Sequence, residues 1–327
     1  SDLNHRDSEI EQAVKVIQTY AFPGRTQHLF AYEHRLPPPP DAAVRRRRNG
    51  LLGITFTDIS AVLEAELERQ GVLADRPDGS PSPWRCTRAN DRYQLCGSYP
   101  RVLVVPRDFG DNDLPLVAAF RSGQRLPVLT WGTRGDSASI WRSSQPKVGM
   151  SASCAPDERL LELMATACGA ADAARAILHI VDCRPRANAM ANRAAGAGYE
   201  STANYPSSRL EFFNIENVHH MRHSLGRITN MMLSPNGQDV HHASHVDETK
   251  WLTHVRLVLK ASWETANLVY RRASVLVHCS HGWDRTSQVV GLAQIMLDPY
   301  FRTFEGFPVL VEKDWLAFGH AFQLRLA

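Results

Sequence analysis

Ser274-Val275-Leu276-Val277-His278-Cys279-Ser280-His281-Gly282-Trp283-Asp284-Arg285-Thr286 joins an apolar, β-branched run to a short turn and then to a helical pattern. Ser274 to Val277 reads as a buried strand, and Arg285 through Met296 carries Val289, Leu292, Ala293 and Met296 at helical spacing. Between the two, Cys279 and Arg285 stand at a separation that lets a tight loop containing Gly282 curl around an anion with its N–H groups turned inward. The loop empties onto a helix N-terminus, whose partial charge of roughly half a unit favours both a phosphate and a thiolate. A free cysteine titrates near about 8.5, and sites of this kind lower that to roughly 3.5–7.5. Cys279 is therefore expected to be a nucleophile. Arg285 offers a planar fork for two phosphate oxygens, Asp284 is the nearest acid for a leaving alkoxide, and the Thr286 hydroxyl can hydrogen-bond the thiolate.

Spacing alone proves little, because a bare match of this kind is expected by chance in about every second chain of such composition. Cys86-Thr87-Arg88-Ala89-Asn90-Asp91-Arg92 matches it too, without a glycine, a preceding apolar strand or a following hydroxyl. Cys86 is expected to be a buried structural thiol.

The 327 residues, 43% of them hydrophobic, suffice for one large core or two small ones. A formal charge of +3 is too small to point to nucleic acid. Six cysteines without paired short spacings argue for free thiols in a reducing compartment. No signal peptide and no apolar run long enough to span a bilayer is seen. The chain begins at Ser1, which suggests a piece of a longer protein.

Asn4 to Phe22 has helical periodicity at Ile10, Val14, Ile17 and Ala21. Pro37 to Pro40 and Arg45 to Arg48 follow, an extended solvated loop whose functional reading is attraction to an anionic membrane face. Asp58 is expected to cap a helix through Gln70, with Ile59, Val62, Leu63 and Leu67 on one face and Gly71 as its stop. Asp75 to Pro83 reads as a loop. Strands are expected at Val102–Val105, Val128–Trp131 and Ile177–Val181, and helices at Glu158–Cys168 and Glu248–Tyr270. This alternation predicts a single α/β domain. Asp182-Cys183-Arg184-Pro185-Arg186-Ala187-Asn188, running into Gly196-Ala197-Gly198-Tyr199-Glu200, suits a ligand rim or a structural turn held by Asp182 and Arg184. His219, His220 and His223, and His241, His242 and His245, have spacings open to zinc, but neither cluster has a nearby cysteine, and the second is read as a loop beside Pro235-Asn236-Gly237.

The loop and its surroundings resemble the catalytic domain of the myotubularin family of phosphoinositide phosphatases. The family loop reads Cys-Ser-Asp-Gly-Trp-Asp-Arg-Thr, and this chain differs only at His281. Asn90–Pro100, Arg125–Trp131, Ser144–Gly149, Val181–Glu200, Phe213–Leu225 and Leu297–His320 are similar to family segments in family order. The resemblance implies a cysteine-phosphatase (protein-tyrosine-phosphatase-like) α/β fold, with a central mixed sheet flanked by helices. It implies removal of the 3-phosphate from phosphatidylinositol 3-phosphate and phosphatidylinositol 3,5-bisphosphate, with no cofactor and no metal. Cys279 would be the nucleophile, Asp284 the acid and Arg285 the clamp. Ser280, His281, Gly282, Trp283 and Thr286 complete the loop, and Asn192, Asn217, Val218 and Arg325 match positions at the lipid headgroup. A cytoplasmic enzyme, peripheral on endosomal or other intracellular membranes and pairing with itself or another family member, is also implied.

Where the family has aspartate, His281 places a group titrating near about 6.5 at the expected pocket floor, which predicts a shift of preference toward an extra phosphate. Ala321 stands where the family usually has lysine or arginine, which predicts weaker headgroup binding. A pleckstrin-homology-type domain normally precedes this region and further helices follow it, so the expectation is residues 1–327 as a phosphatase domain cut at both ends. Two other functions stay open: an inactive scaffold of the same fold, and a protein tyrosine or dual-specificity phosphatase. The second is opposed by the missing Trp-Pro-Asp loop, which usually carries the acid in such enzymes.

Overall fold

The computed structural model describes residues 59–76, 78–133, 138–166, 176–233 and 241–326. All belong to one compact unit that starts at Asp58. The expected helix at Asn4–Phe22, the Pro37–Pro40 and Arg45–Arg48 segment and the Asp58 cap lie outside the described residues.

Helix α1 (Ile59–Gln70) buries Leu63 and Leu67 and stops at Gly71, whose φ of 66° suits a residue without Cβ. Strands β1 (Trp84–Thr87) and β2 (Leu103–Pro106) form an antiparallel pair. After α2 (Leu114–Phe120) come β3 (Val128–Gly132), β4 (Ser139–Ser144), α3 (Ala155–Thr166), β5 (Leu178–Asp182), α4 (Arg186–Ala194) and β6 (Ser208–Phe212). The remainder is α5 (Val218–Met232), α6 (His242–Thr249), α7 (Trp251–Tyr270), β7 (Ser274–Cys279), α8 (Arg285–Leu297), α9 (Gly306–Val311) and α10 (Phe322–Leu326). The main sheet has the order β3-β4-β7-β5-β6, antiparallel between β3 and β4 and parallel elsewhere.

Strand β7 lies at the centre and is buried along its whole length. A strand covered on both faces reads as a continuous apolar run rather than an alternation, which is how Ser274–Val277 betrays itself. Its two faces enter different clusters. Leu276 packs with Leu178, Ile180 and the α3 residues Leu160, Leu161 and Met164. Val275, Val277 and Cys279 pack on the other face with Val181, Cys183, Ala261, Val289 and Ala293. Each such side chain, fully buried, stabilises by about 1.5–3 kcal/mol. The sheet therefore holds Cys279 at the C-terminal end of its central, fully buried strand.

The structure departs from the sequence expectation at several places. Glu248–Tyr270 is two helices, α6 and α7, because Lys250 takes a left-handed conformation at φ 62°. Thr249 bridges the break, its hydroxyl donating to the Val246 carbonyl and accepting from the Trp251 N–H. His242 and His245 consequently sit on a helix rather than in a loop. Helix α3 begins at Ala155, three residues before the expected start, with Pro156 in its first turn. Cys86 is exposed, not buried, because it lies on a two-stranded ribbon with its side chain on the open face. Strand β4 escapes a search for apolar runs: Ser139-Ile140-Trp141-Arg142-Ser143-Ser144 is two-thirds polar, yet wholly buried. Most of its polar groups are paired inside, Ser139 with Ser274 at 2.8 Å and the Trp141 indole with Ser139 at 2.9 Å, whereas the Ser143 hydroxyl has no partner among the described residues.

Candidate active site

The turn from β7 to α8 begins at Cys279, which is 2% exposed. Burial pushes its thiol up, but the Arg285 guanidinium, the Thr286 hydroxyl and N–H and the Gly282 N–H outweigh it and hold the pKa below the ordinary cysteine value. Thr286 Oγ1 lies 3.4 Å and Gly282 N 3.3 Å from Sγ. Thr286 thus stands where the sequence predicts it.

The loop around Cys279 is held from outside by its carbonyls. Ser280 O accepts from Gln145 N at 3.3 Å, and Trp283 O accepts from Ser287 Oγ at 3.0 Å and lies 2.7 Å from His320 Nδ1. Gly282 O takes two guanidinium donors, Arg125 Nη2 at 3.1 Å and Arg142 Nη2 at 2.9 Å. In a planar trans peptide the C=O and the next N–H point opposite ways. Carbonyls drawn outward therefore turn the His281, Trp283 and Asp284 N–H groups into the loop, making an anion cradle. Gly282 itself has φ 75°, and its α-carbon faces β4 so closely that a Cβ would lie 2.2 Å from Ser143 O.

Arg142 and Arg125 are fully buried, and neither was singled out by the sequence reading. Arg142 also pairs with Asp314 at 3.0 Å, and Asp314 in turn meets Lys313, Gln294 and Thr130. Arg125 also reaches Phe318 O at 2.7 Å and Ser98 Oγ at 2.7 Å. A signal existed: an arginine inside an apolar or strand-like segment is almost never buried unless paired.

Arg285 lies across the cradle, with Nη1 at 3.1 Å from Ile215 O and Nη2 at 3.4 Å from Ser280 Oγ. No carboxylate pairs with it among the described residues. Asp284 differs, since Arg325 grips it through both oxygens at 2.9 and 2.7 Å and His320 Nδ1 lies 3.5 Å away. The structure therefore brings Arg325 to the candidate acid. His281 is exposed and stacks on Trp283 at 4.9 Å, so it lies at the mouth of the loop and not on the floor, which is backbone. Burial lowers its pKa, Asp284 raises it, and Arg125, Arg285 and Arg325 lower it, with a net fall that leaves the ring neutral at pH 7.

Asn192 on α4 reaches Ser280 Oγ at 3.3 Å and Gln145 at 3.1 Å. Asn217 caps α5, accepting from the His219 and His220 N–H groups, and Val218 opens that helix. Both lie just beyond Ile215, whose carbonyl holds Arg285. Asp182 and Arg184 form a structural turn, one of the two readings left open by the sequence, through an ion pair at 2.6 Å that also links to Gln145 and Gly198 O. Behind the loop, His278 lies 3.0 Å from Glu200, which meets Arg121 and through it Asp157. Burial lowers the His278 pKa, but Glu200 and Asp182 more than offset it and leave it raised. Among the described residues no group of three or more His, Cys, Asp or Glu side chains is placed to hold a metal ion.

The family model of the myotubularin-like phosphatase domain matches residues 49–327. The chain belongs to the myotubularin-like phosphatase family. It is 44% identical to myotubularin of Xenopus tropicalis over 263 residues, covering 80% of this chain and 42% of the relative. It is 41% identical over 313 residues to phosphatidylinositol-3,5-bisphosphate 3-phosphatase MTMR2 of Bos taurus, covering 95% and 44%. Phosphatidylinositol-3-phosphatase myotubularin-2 of Arabidopsis thaliana is 42% identical over 275 residues, covering 74% and 32%. The chain thus spans less than half the length of these relatives. The α/β fold with a mixed central sheet is the one expected of a myotubularin-like, tyrosine-phosphatase-like domain.

Proposed function

We propose that this domain hydrolyses the 3-phosphate of phosphatidylinositol 3-phosphate and phosphatidylinositol 3,5-bisphosphate. The observation that carries the reading is the Arg285 guanidinium, which pairs with no carboxylate among the described residues, beside a Cys279 thiol whose pKa is depressed. The thiolate attacks phosphorus, an S–P bond forms as the P–O bond to the inositol breaks, and the leaving alkoxide takes a proton from Asp284. Water, activated by the same carboxylate, then attacks phosphorus and returns the thiolate. For Asp284 to serve, the fork of Arg325 must be drawn off its carboxylate. A headgroup phosphate can do this by competing for the same guanidinium. Asn192, Asn217 and Val218 border the cradle and would line the inositol. Ala321 ends in a methyl group and supplies no donor there.

The relatives are named for phosphoinositide substrates, which supports a reaction at a membrane surface. No helix among the described residues is long and apolar enough to cross a membrane. In line with the family resemblance, we propose peripheral attachment at cytoplasmic faces, endosomal ones among them, and pairing with a second copy or another family member.

Phosphate release from short-chain phosphatidylinositol 3-phosphate is expected to exceed release from a phosphotyrosine peptide. The reverse preference would sink the lipid reading, and no release from either would favour an inactive scaffold.

The neutral His281 ring repels a second phosphate less than a carboxylate would. At 4 Å in water one unit charge is worth about 1 kcal/mol, or roughly fivefold. His281→Asp is thus expected to lower the bisphosphate-to-monophosphate turnover ratio by about that factor. An unchanged ratio removes His281 from substrate selection.

A further inference from the structure

Cys183 is a buried thiol that the proposed reaction does not use. It directly follows β5, and the β5–β7 register pairs Val181 with Val277 and Asp182 with His278. The ladder continues one step further, since Cys183 N donates to His278 O at 2.9 Å. Cys183 therefore stands beside Cys279 on the neighbouring parallel strand. Alternation settles the face: Val181, Val277, Cys183 and Cys279 share one cluster, while Asp182 and His278 face the ion-pair network on the other side. Neighbouring strands lie about 4.8 Å apart, inside the roughly 4.4–6.8 Å between α-carbons that a disulfide spans.

We propose that Cys183 is a resolving cysteine, and that mild oxidation of Cys279 is captured as a reversible Cys183–Cys279 disulfide. This rests on Cys279 being the reactive thiolate proposed above. The oxidant is hydrogen peroxide. The Cys279 thiolate attacks the peroxide O–O bond, giving the sulfenic acid and a hydroxide ion. The Cys183 sulfur then attacks the sulfenic sulfur, the S–S bond forms and the S–O bond breaks. The proton of Cys183 leaves with the hydroxyl as water. A dithiol reductant reverses the bond and restores both thiols. Sulfenic acids that lack such a partner go on to sulfinic acid, which is not recovered this way.

The surroundings agree with this order of events. Burial, then the Cys279 and Asp182 charges, push the Cys183 thiol well above the ordinary range, while Arg285 and Arg184 pull the other way. Cys183 therefore stays inert while Cys279 is anionic. Conversion of Cys279 to a neutral sulfenic acid removes one of the opposing charges and leaves the two arginines acting.

The test is a peroxide titration of the whole chain, with each cysteine mapped by mass spectrometry and phosphatase turnover read before and after dithiothreitol. Wild type is expected to lose activity, to yield linked Cys183–Cys279 peptides and to recover on reduction. Cys183→Ala and Cys183→Ser are expected to keep basal turnover, lose activity to peroxide, accumulate sulfinic Cys279 and fail to recover. Two substitutions guard against a packing defect in either. Recovery in these variants equal to wild type, or oxidised wild type without the linked peptides, overturns the proposal. Iodoacetamide labelling of Cys279 before oxidation separates the two layers of the argument. If Cys279 does not label, the thiolate reading fails and takes the proposal with it; if it labels and no link forms, only the role of Cys183 fails.

Discussion

Cys279→Ser is expected to lower turnover of phosphatidylinositol 3-phosphate on the order of 10⁶-fold, as removal of a nucleophile does in enzymes whose catalytic groups act as a unit. A serine hydroxyl in the same place titrates far above any accessible pH, and Arg285 and Thr286 cannot close that gap. Binding should survive, because the loop N–H groups and Arg285 remain, so inorganic phosphate should still protect the variant against thermal unfolding. Turnover within a hundredfold of wild type would refute a cysteinyl-phosphate intermediate. The thiolate can also be read directly. Alkylation consumes the deprotonated form, so a depressed pKa brings the rate plateau to lower pH. Cys279 should reach its plateau below Cys86, whose thiol local desolvation and then Glu64 push up. Coincident profiles would mean that the loop does not activate its cysteine.

Gly282→Ala should be nearly as damaging without touching any reacting group. A left-handed φ costs an alanine about 1–2 kcal/mol, and the new methyl would meet the Ser143 carbonyl oxygen at 2.2 Å and its carbon at 2.8 Å. Those are backbone atoms of β4, which cannot swing aside, so the loop must lift. Lifting it takes Gly282 O from Arg125 and Arg142 and the Gly282 N–H from Cys279 Sγ. A displacement near 1 Å at a reacting centre costs about 10²-fold, and we expect turnover to fall by at least that much, with slower Cys279 alkylation at neutral pH. Gly97→Ala, where a Cβ meets nothing within 4 Å, is the control and should be neutral. Wild-type rates in Gly282→Ala would show that the clasp is ornamental to catalysis.

The reacting loop was legible because it combines two strong local signals, an apolar run too continuous for an exposed strand and a helix that starts at Arg285. Flanking segments carried the family resemblance, and the family match covers the same region. What the sequence hid was polar and non-local. Strand β4 passes for a loop because Ser139 meets Ser274 of β7, Arg142 meets Asp314 and Ser287, and Ser144 meets the Ser122 and Arg125 carbonyls only once the domain is packed. Lys250 looks like any helical residue, and only the packed structure shows the left-handed break it makes. Cys86 was misplaced because cysteine burial is an average over proteins, whereas this one stands on a ribbon edge. The adjacency of Cys183 and Cys279 is likewise a matter of strand order, invisible at a separation of 96 positions.

The double grip on the Gly282 carbonyl has a consequence for biosynthesis. Its donors, Arg125 and Arg142, are translated long before Cys279, while two of the groups that steady them, Asp314 and the Phe318 carbonyl, emerge only afterwards. A ribosome-bound chain that has passed Thr286 therefore holds every residue of the loop and still lacks the braces that shape it. Oxyanion affinity should appear abruptly once His320 has cleared the exit tunnel, so that nascent chains carry a quiet cysteine until the domain around it is complete.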